Sequence, residues 1–325
     1  MNETNSADNA TLEELAVNTI SVLSFECVQK ANSGHPGLPM GCADLAYTLF
    51  TSSLKFDPKA PGWPDRDRFV LSAGHGSMLI YSMLHLCGYD LPLEELRNFR
   101  QWGSMTPGHP EYGDTPGIET TTGPLGQGTA NAVGLALAES LLAARFNTPE
   151  HKLVDHFTYA LVSDGDLMEG LSHEAASLAG HLGLGKLVYL FDSNAITIEG
   201  GTELASSEDT AKRFESYGWQ VQSIDGHDRQ AIAGALEAAR AETARPSIII
   251  ATTTIGFGSP NKAGSSGVHG SPLGDEECEL TRKALGWNHP ECSVPDEVRP
   301  LFLEPGNRGG EKHVAWKQLL KDYRE

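Results

Sequence analysis

Apolar and polar positions follow two recurring patterns along the chain. Short apolar runs, rich in β-branched residues and bounded by turn-forming residues, predict buried strands over 68–72, 157–163, 187–192, 219–224 and 247–253. Between them, apolar residues recur at helical spacing, for example over 129–146, 172–182 and 229–242. Strands that alternate with helices in this way predict an α/β fold. We expect a doubly wound, mainly parallel sheet with helices on both faces.

The two ends of the chain have different patterns. Residues 1–10 are polar and acidic, which predicts a flexible N-terminal tail. Thr11 and Glu14 then form a capping box that predicts the start of an amphipathic helix. From about 290 to 310 the chain is rich in Pro, Gly and charge, and helical spacing returns over 311–323. We therefore expect one large domain over 11–289, followed by a linker and connector helix over 290–325.

Composition narrows the classes of function. The 325 residues contain 24 Lys and Arg against 43 Asp and Glu, a formal net charge of −19. This excess of carboxylates argues against nucleic acid or an anionic membrane as the main partner. The 5 cysteines are scattered, with no C-x-x-C pair, which argues against a disulfide framework or a zinc site. With no signal peptide or bilayer-length apolar run recognised, we expect a cytoplasmic protein.

Histidine and glycine concentrate in segments expected at the carboxyl ends of the strands, where doubly wound sheets bind ligands. His35, His75, His109 and His269, of 12 histidines in all, lie in loops flanked by Gly or Pro. One such histidine is more often a turn residue with a satisfied hydrogen bond, but four in the same context favour a functional site. Imidazoles exchange protons near neutrality, as a carbohydrate-like or anionic substrate would require.

An Asp-Gly pair, Asp164 and Gly165, follows the predicted strand 157–163, and Asn194 follows the next strand. With the backbone carbonyl of Ile196, the Asp164 carboxylate and the Asn194 amide oxygen would fill half of an octahedral Mg²⁺ shell. Diphosphate oxygens and a water would complete that shell. Gly165 would let the backbone approach the ligand, and a helix start there would favour negative charge. Asp-Gly is also a common turn, so these residues alone leave both interpretations open.

Six long segments carry a more specific resemblance. They are ANSGHPGLPMGCADLAY, RDRFVLSAGHGSMLIYSMLHLCGYDLP, TPGHPEYGDTPGIETTTGPLGQG, DGDLMEGLSHEAASLAGHLGLGKLVYLFDSNAITIEGG, TIGFGSPNKAG and VHGSPLG. From about residue 12 to 323 the chain is similar to the N-terminal, diphosphate-binding domain of the transketolase family. The resemblance implies thiamine diphosphate as cofactor, with Mg²⁺ or Ca²⁺.

The resemblance also implies roles for individual residues. The metal ligands of the family fall on Asp164, Asn194 and the carbonyl of Ile196. Its cofactor contacts fall on His75, Gly123, Pro124, Leu125, Gly165, Asn194 and His269. The histidines that meet the sugar substrate or move its protons fall on His35, His109 and His269, and Glu169 matches the residue through which the two active sites of a dimer communicate. The implied reaction transfers a two-carbon ketol unit from a ketose to an aldose.

The chain departs from the family pattern at several positions. Ser163 stands where a Gly is usual, and Asp166 adds a carboxylate that could weaken anion binding unless it points away. Ala73 replaces an Asn, Met105 replaces a basic residue, and Ser266 replaces a His. Neutral drift would explain each departure singly. Together they leave open whether the substrates are the usual sugar phosphates.

The resemblance covers only the first domain of a transketolase, and we find no segment resembling the pyrimidine-binding or C-terminal domains. We therefore expect the diphosphate-binding subunit of a split enzyme, active with a separately encoded partner that carries the pyrimidine-binding domain, as a dimer or heterotetramer. Two alternatives remain. One is a related thiamine-dependent two-carbon or acyl transfer in a specialised pathway. The other is a non-catalytic binding or regulatory paralogue, and a fragment of a longer protein would have the same sequence.

Overall fold

A single parallel sheet organises the chain. The computed structural model describes residues 3–325, with side chains from Thr11 onward. Its strands are β1 (Arg68–Leu71), β2 (Thr158–Ser163), β3 (Leu187–Ser193), β4 (Gln220–Asp225) and β5 (Ser247–Thr252). They lie in the order β1-β2-β3-β5-β4, and every neighbouring pair is parallel. Each strand agrees with its predicted bounds to within one residue at either end, and the predicted sheet is confirmed.

Helices connect and cover these strands. In the described part of the chain they are α1 (Glu3–Ala31), α2 (Gly37–Gly41), α3 (Ala43–Thr48), α4 (Ser77–Leu86), α5 (Leu93–Arg97), α6 (Gln127–Phe146), α7 (Asp164–Met168), α8 (Gly170–His181), α9 (Thr210–Ser216), α10 (Arg229–Ala241), α11 (Asp275–Ala284) and α12 (Arg299–Arg324). Short 3₁₀ turns cover Gly74–Gly76, Thr202–Leu204, Ser266–Val268 and Asp296–Val298, and a π turn covers Leu49–Ser53.

The central strands are buried on both faces. Along β2, Tyr159 and Leu161 pack into one apolar cluster, whereas Ala160 and Val162 pack into another on the opposite face. This follows from the alternation of side chains along a strand. The first cluster contains side chains of α1, α3, α4 and α10, and the second contains the alanine-rich faces of α6 and α8. The predicted doubly wound architecture is therefore confirmed.

Strand β4 departs from its prediction as a buried strand. Its side chains are half-buried or exposed, because β4 lies at the edge of the sheet with β5 as its neighbour. Fully buried Trp219 immediately precedes it and supplies the large apolar contact at this position.

The C-terminal segment also differs from its prediction. Helix α12 begins at Arg299, inside the segment predicted as linker, and continues through Pro305, Gly306 and Gly309. A Cβ at Gly309 would lie 1.5 Å from the carbonyl oxygen of Phe56, so this glycine permits close helix packing. The indole N–H of Trp316 donates to the carbonyl of Leu153 at 2.8 Å. The glycines that suggest a loop in the sequence therefore pack the helix against its own domain.

The N-terminal helix likewise differs from expectation. Helix α1 begins at Glu3, so the capping box predicted at Thr11 and Glu14 does not start it. The flexible tail predicted over residues 1–10 concerns residues whose side chains lie outside the described ones. Among the helices of residues 3–325, none is long and apolar enough to cross a membrane.

Candidate functional site

A cavity of about 400 Å³ opens at the carboxyl edge of the sheet. Its walls come from loops that follow β1, β2, β3 and β5, as expected for a doubly wound sheet. It is lined by His35, Leu38, His75, Gly123, Leu125, Ser163, Asp164, Gly165, Asn194, Ile196, Thr197, Ile198, Glu199, Ile255 and His269. The fold therefore brings together segments that lie far apart in the sequence.

Most of the predicted site residues line this cavity, and three do not. Pro124 is exposed between the lining residues Gly123 and Leu125. His109 lies next to the lining residue Gly123, where a Cβ would be 3.2 Å from the His109 ring, but it is not itself a lining residue. Glu169 is exposed and precedes the first residue of α8. The roles implied for these residues stay predictions.

Three histidine rings form a compact cluster in the cavity. The rings of His75 and His269 are stacked, with centroids 5.0 Å apart. His35 meets both edge-on, at 5.1 Å from His75 and 5.8 Å from His269. The buried Nδ1 of His35 has no hydrogen-bond partner in the described protein. A buried polar atom without a partner costs free energy, so this nitrogen is a natural contact for a ligand.

Burial favours the uncharged form of these imidazoles. Burial, followed by the charges of His269, Arg100 and His109, lowers the pKa of His35 to about 4. Burial is also the largest cause lowering the pKa of His75, His109 and His269. Neutral rings can accept a proton at one nitrogen and donate one from the other. The cluster is therefore suited to proton transfer rather than to holding permanent positive charge.

Asp164 is the first residue of α7 and lies at the end of β2. Its Oδ2 is buried and has no hydrogen-bond partner in the described protein. Burial, and then the neighbouring charge of Asp192, raise the pKa of Asp164 to about 7. A carboxylate held in this way lacks a cation, and a divalent ion would stabilise its ionised form.

Asn194 is held in place by a residue that the sequence interpretation missed. Its Nδ2 donates to Oδ2 of Asp192 at 2.8 Å, and its Oδ1 accepts from the backbone N–H of Ile196 at 2.9 Å. Asp192 is fully buried and also accepts from the hydroxyl of Thr253. An aspartate ending an apolar strand, two residues before Asn194, was the available signal. Asp192 thus orients the amide, as residues outside a ligand set commonly do.

The donor set fits a hard divalent cation. The unpartnered Asp164 oxygen, the Asn194 amide oxygen and the Ile196 carbonyl are the oxygen ligands that Mg²⁺ and Ca²⁺ prefer. No group of three His, Cys, Asp or Glu that could hold a metal occurs among residues 3–325. A side chain at Gly165 would crowd the cavity wall, because a Cβ there would lie 3.0 Å from Cδ1 of Leu125.

Asp166 points away from the cavity and forms part of the fold. Its Oδ2 accepts from the backbone N–H and the hydroxyl of Ser163, both at 3.0 Å, in a capping box for α7. Its Oδ1 accepts from the Ser72 hydroxyl at 2.8 Å and the Gly126 N–H at 2.9 Å. Asp166 therefore connects the Gly126 loop to α7. Because its carboxylate points away from the cavity, it would not weaken anion binding there.

The other departures lie outside the cavity wall. Ala73 is fully buried, and Met105 packs against the main apolar cluster. Ser266 begins the 3₁₀ turn before His269 and accepts the backbone N–H of that histidine through its carbonyl at 3.0 Å. Among the described residues, none of these three lines the cavity. Their effect on substrate choice stays a prediction.

Comparison with protein families agrees with this geometry. A family model described as "Transketolase, thiamine diphosphate binding domain" matches residues 12–325. Transketolase 1 of Vibrio cholerae is 58% identical over 307 residues, which cover 94% of this chain and 46% of that protein. Transketolase of Geobacillus stearothermophilus is 55% identical over 320 residues, which cover 97% of this chain and 48% of that protein.

Solved structures of transketolases share the fold of this chain. A transketolase from Leishmania mexicana superposes with a TM-score of 0.94 at 46% identity, covering 95% of this chain and 47% of that one. A transketolase from Pichia stipitis in complex with sedoheptulose-7-phosphate has a TM-score of 0.94 at 46% identity, covering 96% of this chain and 46% of that one. The chain thus spans about half the length of the curated relatives it matches.

Proposed function

Because the chain belongs to the transketolase family through its thiamine diphosphate binding domain, we propose that it is the diphosphate-binding part of a transketolase-type transferase. It would transfer a two-carbon ketol unit from a ketose or ketose phosphate donor to an aldose acceptor. One observation carries the proposal: the unpartnered carboxylate oxygen of Asp164 shares a cavity with a cluster of histidines. A divalent cation with a diphosphate would supply the missing partner.

The residues of this chain would divide the binding of the cofactor between them. Asp164, Asn194 and the carbonyl of Ile196 would hold the metal. His75, His269 and the backbone of Gly123, Pro124 and Leu125 would contact the cofactor, with Gly165 leaving room. When bound, thiamine diphosphate supplies the electron sink for breaking a carbon–carbon bond beside a carbonyl.

The histidines would bind substrate and move protons. Since burial lowers the pKa of His35, His109 and His269, their neutral rings can accept a proton from a substrate hydroxyl and later return it. Leu38 and Ile255 line the same cavity and would exclude water from the reacting carbon.

We further propose that a partner carrying the pyrimidine-binding domain closes the cavity, with Glu169 connecting the two sites of a dimer or heterotetramer. Two features support this. The side chain of Ile198, which lines the cavity, is 67% exposed, and that of nearby Leu204 is 73% exposed. Large apolar side chains at the edge of a polar site are typical of surfaces that another protein covers.

Calorimetry on this chain mixed with a pyrimidine-binding domain of the family tests the proposal. We expect thiamine diphosphate to bind only when Mg²⁺ or Ca²⁺ is present. The assembled enzyme should then release an aldose from a ketose donor. If no such mixture binds thiamine diphosphate, the proposal is wrong.

A second candidate is a related transfer to a less usual acceptor. It is favoured by Ser266, which precedes His269 in the 3₁₀ turn, and by Met105, which precedes the His109 loop. A screen of donors and acceptors with the reconstituted enzyme separates the two candidates. Equal use of ordinary pentose and hexose phosphates would eliminate the second. If thiamine diphosphate binds but no donor is cleaved, the chain is instead a non-catalytic paralogue.

A further inference from the structure

Phe99 and Arg100 follow the end of α5. They lie between two loops that each carry a Gly-His pair. A Cβ at Gly34, which precedes His35, would lie 2.9 Å from Cε1 of Phe99. A Cβ at Gly108, which precedes His109, would lie 3.0 Å from Nε of Arg100. A side chain at Gly34 would therefore clash with Phe99 and would also be strained at its φ of +136°, whereas a side chain at Gly108 would crowd the Arg100 side chain.

Arg100 is bonded to both loops. Its φ is +61°, in the left-handed region that non-glycine residues rarely adopt unless their surroundings hold them there. Its backbone N–H donates to the carbonyl of Thr106 at 3.0 Å, at the start of the His109 loop. Its Nη1 donates to the hydroxyl of Ser33 at 2.8 Å, two residues before His35. One residue thus connects the two histidine loops.

The His109 loop is anchored independently. The hydroxyl of Ser77 donates to the carbonyl of Gly108 at 2.9 Å, and the hydroxyl of Tyr81 contacts the carbonyls of Pro107 and His109 at 2.9 and 3.2 Å. Both side chains come from α4, a buried helix. The His109 loop is therefore held by α4, and the hydrogen bond from Arg100 to Ser33 connects the His35 loop to it.

We propose that Arg100 is a positioning residue that sets the spacing and orientation of the loops carrying His35 and His109. This inference rests on the proposed function only in assigning substrate contacts to those histidines. The guanidinium charge also contributes to the lowered pKa of both rings, after burial in each case. His269 and His109 act on His35 in the same direction, whereas Glu111 opposes the effect at His109.

Three variants of the full chain separate the hydrogen bond from the charge. Arg100→Gln should raise the pKa of His35 and of His109. Nuclear magnetic resonance titration of the imidazoles measures both pKa values. Arg100→Gln should also speed amide exchange at residue 33 by at least about tenfold, because the charged hydrogen bond to the Ser33 hydroxyl no longer restrains the loop in which the amide lies. Arg100→Lys should restore the pKa values but not the slow exchange. Ser33→Ala should speed exchange while leaving the charge in place, which keeps the test open if Arg100→Gln does not fold.

Arg145→Gln is the control, because Arg145 is exposed at the end of α6. Unchanged protection of the residue 33 amide in both Arg100→Gln and Ser33→Ala, each relative to the intrinsic exchange rate of its sequence, would overturn the inference. In the reconstituted enzyme, Arg100→Gln should lower kcat and shift its pH profile towards higher pH. If the wild-type mixture shows no ketol transfer while the resonance and exchange effects remain, the proposed function fails and the positioning role stands.

Discussion

The two edges of the sheet handle buried charge differently. At the amino edge, Asp67 is 3% exposed and accepts from the backbone N–H groups of Lys55 at 2.9 Å and Phe157 at 2.8 Å. Arg240 lies 3.6 Å from the same carboxylate. At the carboxyl edge, Asp164 and His35 each bury a polar atom without a hydrogen-bond partner in the described protein.

This difference separates burial that stabilises the fold from burial that prepares a site. A buried carboxylate with several donors is tolerated because its lost hydration is replaced. A buried carboxylate oxygen without a partner, such as Oδ2 of Asp164, costs free energy until a ligand contacts it. Asp166 shows that position alone does not decide the matter. It lies two residues beyond Asp164 at the same edge, yet both its oxygens accept hydrogen bonds.

The largest change in stability should come from removing a buried carboxylate that accepts hydrogen bonds. Asp67→Ala leaves the part-buried backbone N–H groups of Lys55 and Phe157 without their acceptor and removes the carboxylate beside Arg240. We expect the free energy of unfolding to fall by about 3–5 kcal/mol, as for other broken buried charge networks. Urea unfolding followed by circular dichroism measures it. A loss under about 1 kcal/mol would mean that the amino edge is not stabilised by this network.

Asp164→Ala, at the carboxyl edge, should have little effect on stability and a large effect on cofactor binding. Asp164→Ala removes a carboxylate whose Oδ2 has no partner, so unfolding in the absence of metal should change by less than about 1 kcal/mol. Mg²⁺-dependent affinity for thiamine diphosphate in the reconstituted enzyme should fall at least about 100-fold, because a ligand matters more than the residues behind it. Full cofactor affinity in Asp164→Ala would refute the proposed metal site. A loss of stability like that of Asp67→Ala would erase the distinction between the edges.

The sheet could be predicted because its strands are local features. Each is an apolar run ended by turn residues, and burial on both faces of the central strands leaves little freedom in their bounds. The helix within 290–310 could not be predicted, because the signal for it is not local. Glycines such as Gly309 are typical of loops, but Gly309 lets α12 approach Phe56, a residue far away in the sequence.

The same distinction applies to the site. Asp164 and Asn194 could be predicted because each directly follows a strand, and the family resemblance then assigned their roles. Asp192 and Arg100 were missed because their roles depend on partners distant in sequence or on an unusual backbone conformation. Asp192 meets Thr253, and Arg100 meets Ser33. Only the folded chain shows those contacts.

A pH series should give a smaller effect confined to the carboxyl edge. Burial lowers the pKa of His35 from 6.5 to about 4. The folded state therefore favours the neutral ring, and the stability this gives is present above pH 6.5 and is lost as the pH falls through about 4. His35→Gln lacks this loss. As the pH falls from 6.5 to about 4, the free energy of unfolding of His35→Gln should rise steadily relative to that of wild type. A constant difference between the two proteins would contradict the assigned burial effect.

The smallest effect should come from an amino-edge pair that solvent reaches. Asp155 contacts Lys186 at 2.6 Å, but its side chain is 51% exposed. Water and salt screen such a pair, so Asp155→Asn should cost only about 0–1 kcal/mol. Urea unfolding at low and high salt measures both parts. The loss should be small because buried Glu139 still binds Lys186 at 2.6 Å, and it should shrink further at high salt because salt screens the exposed pair. A loss as large as that of Asp67→Ala would show that position at the amino edge, rather than burial with partners, sets the energetic weight of a carboxylate.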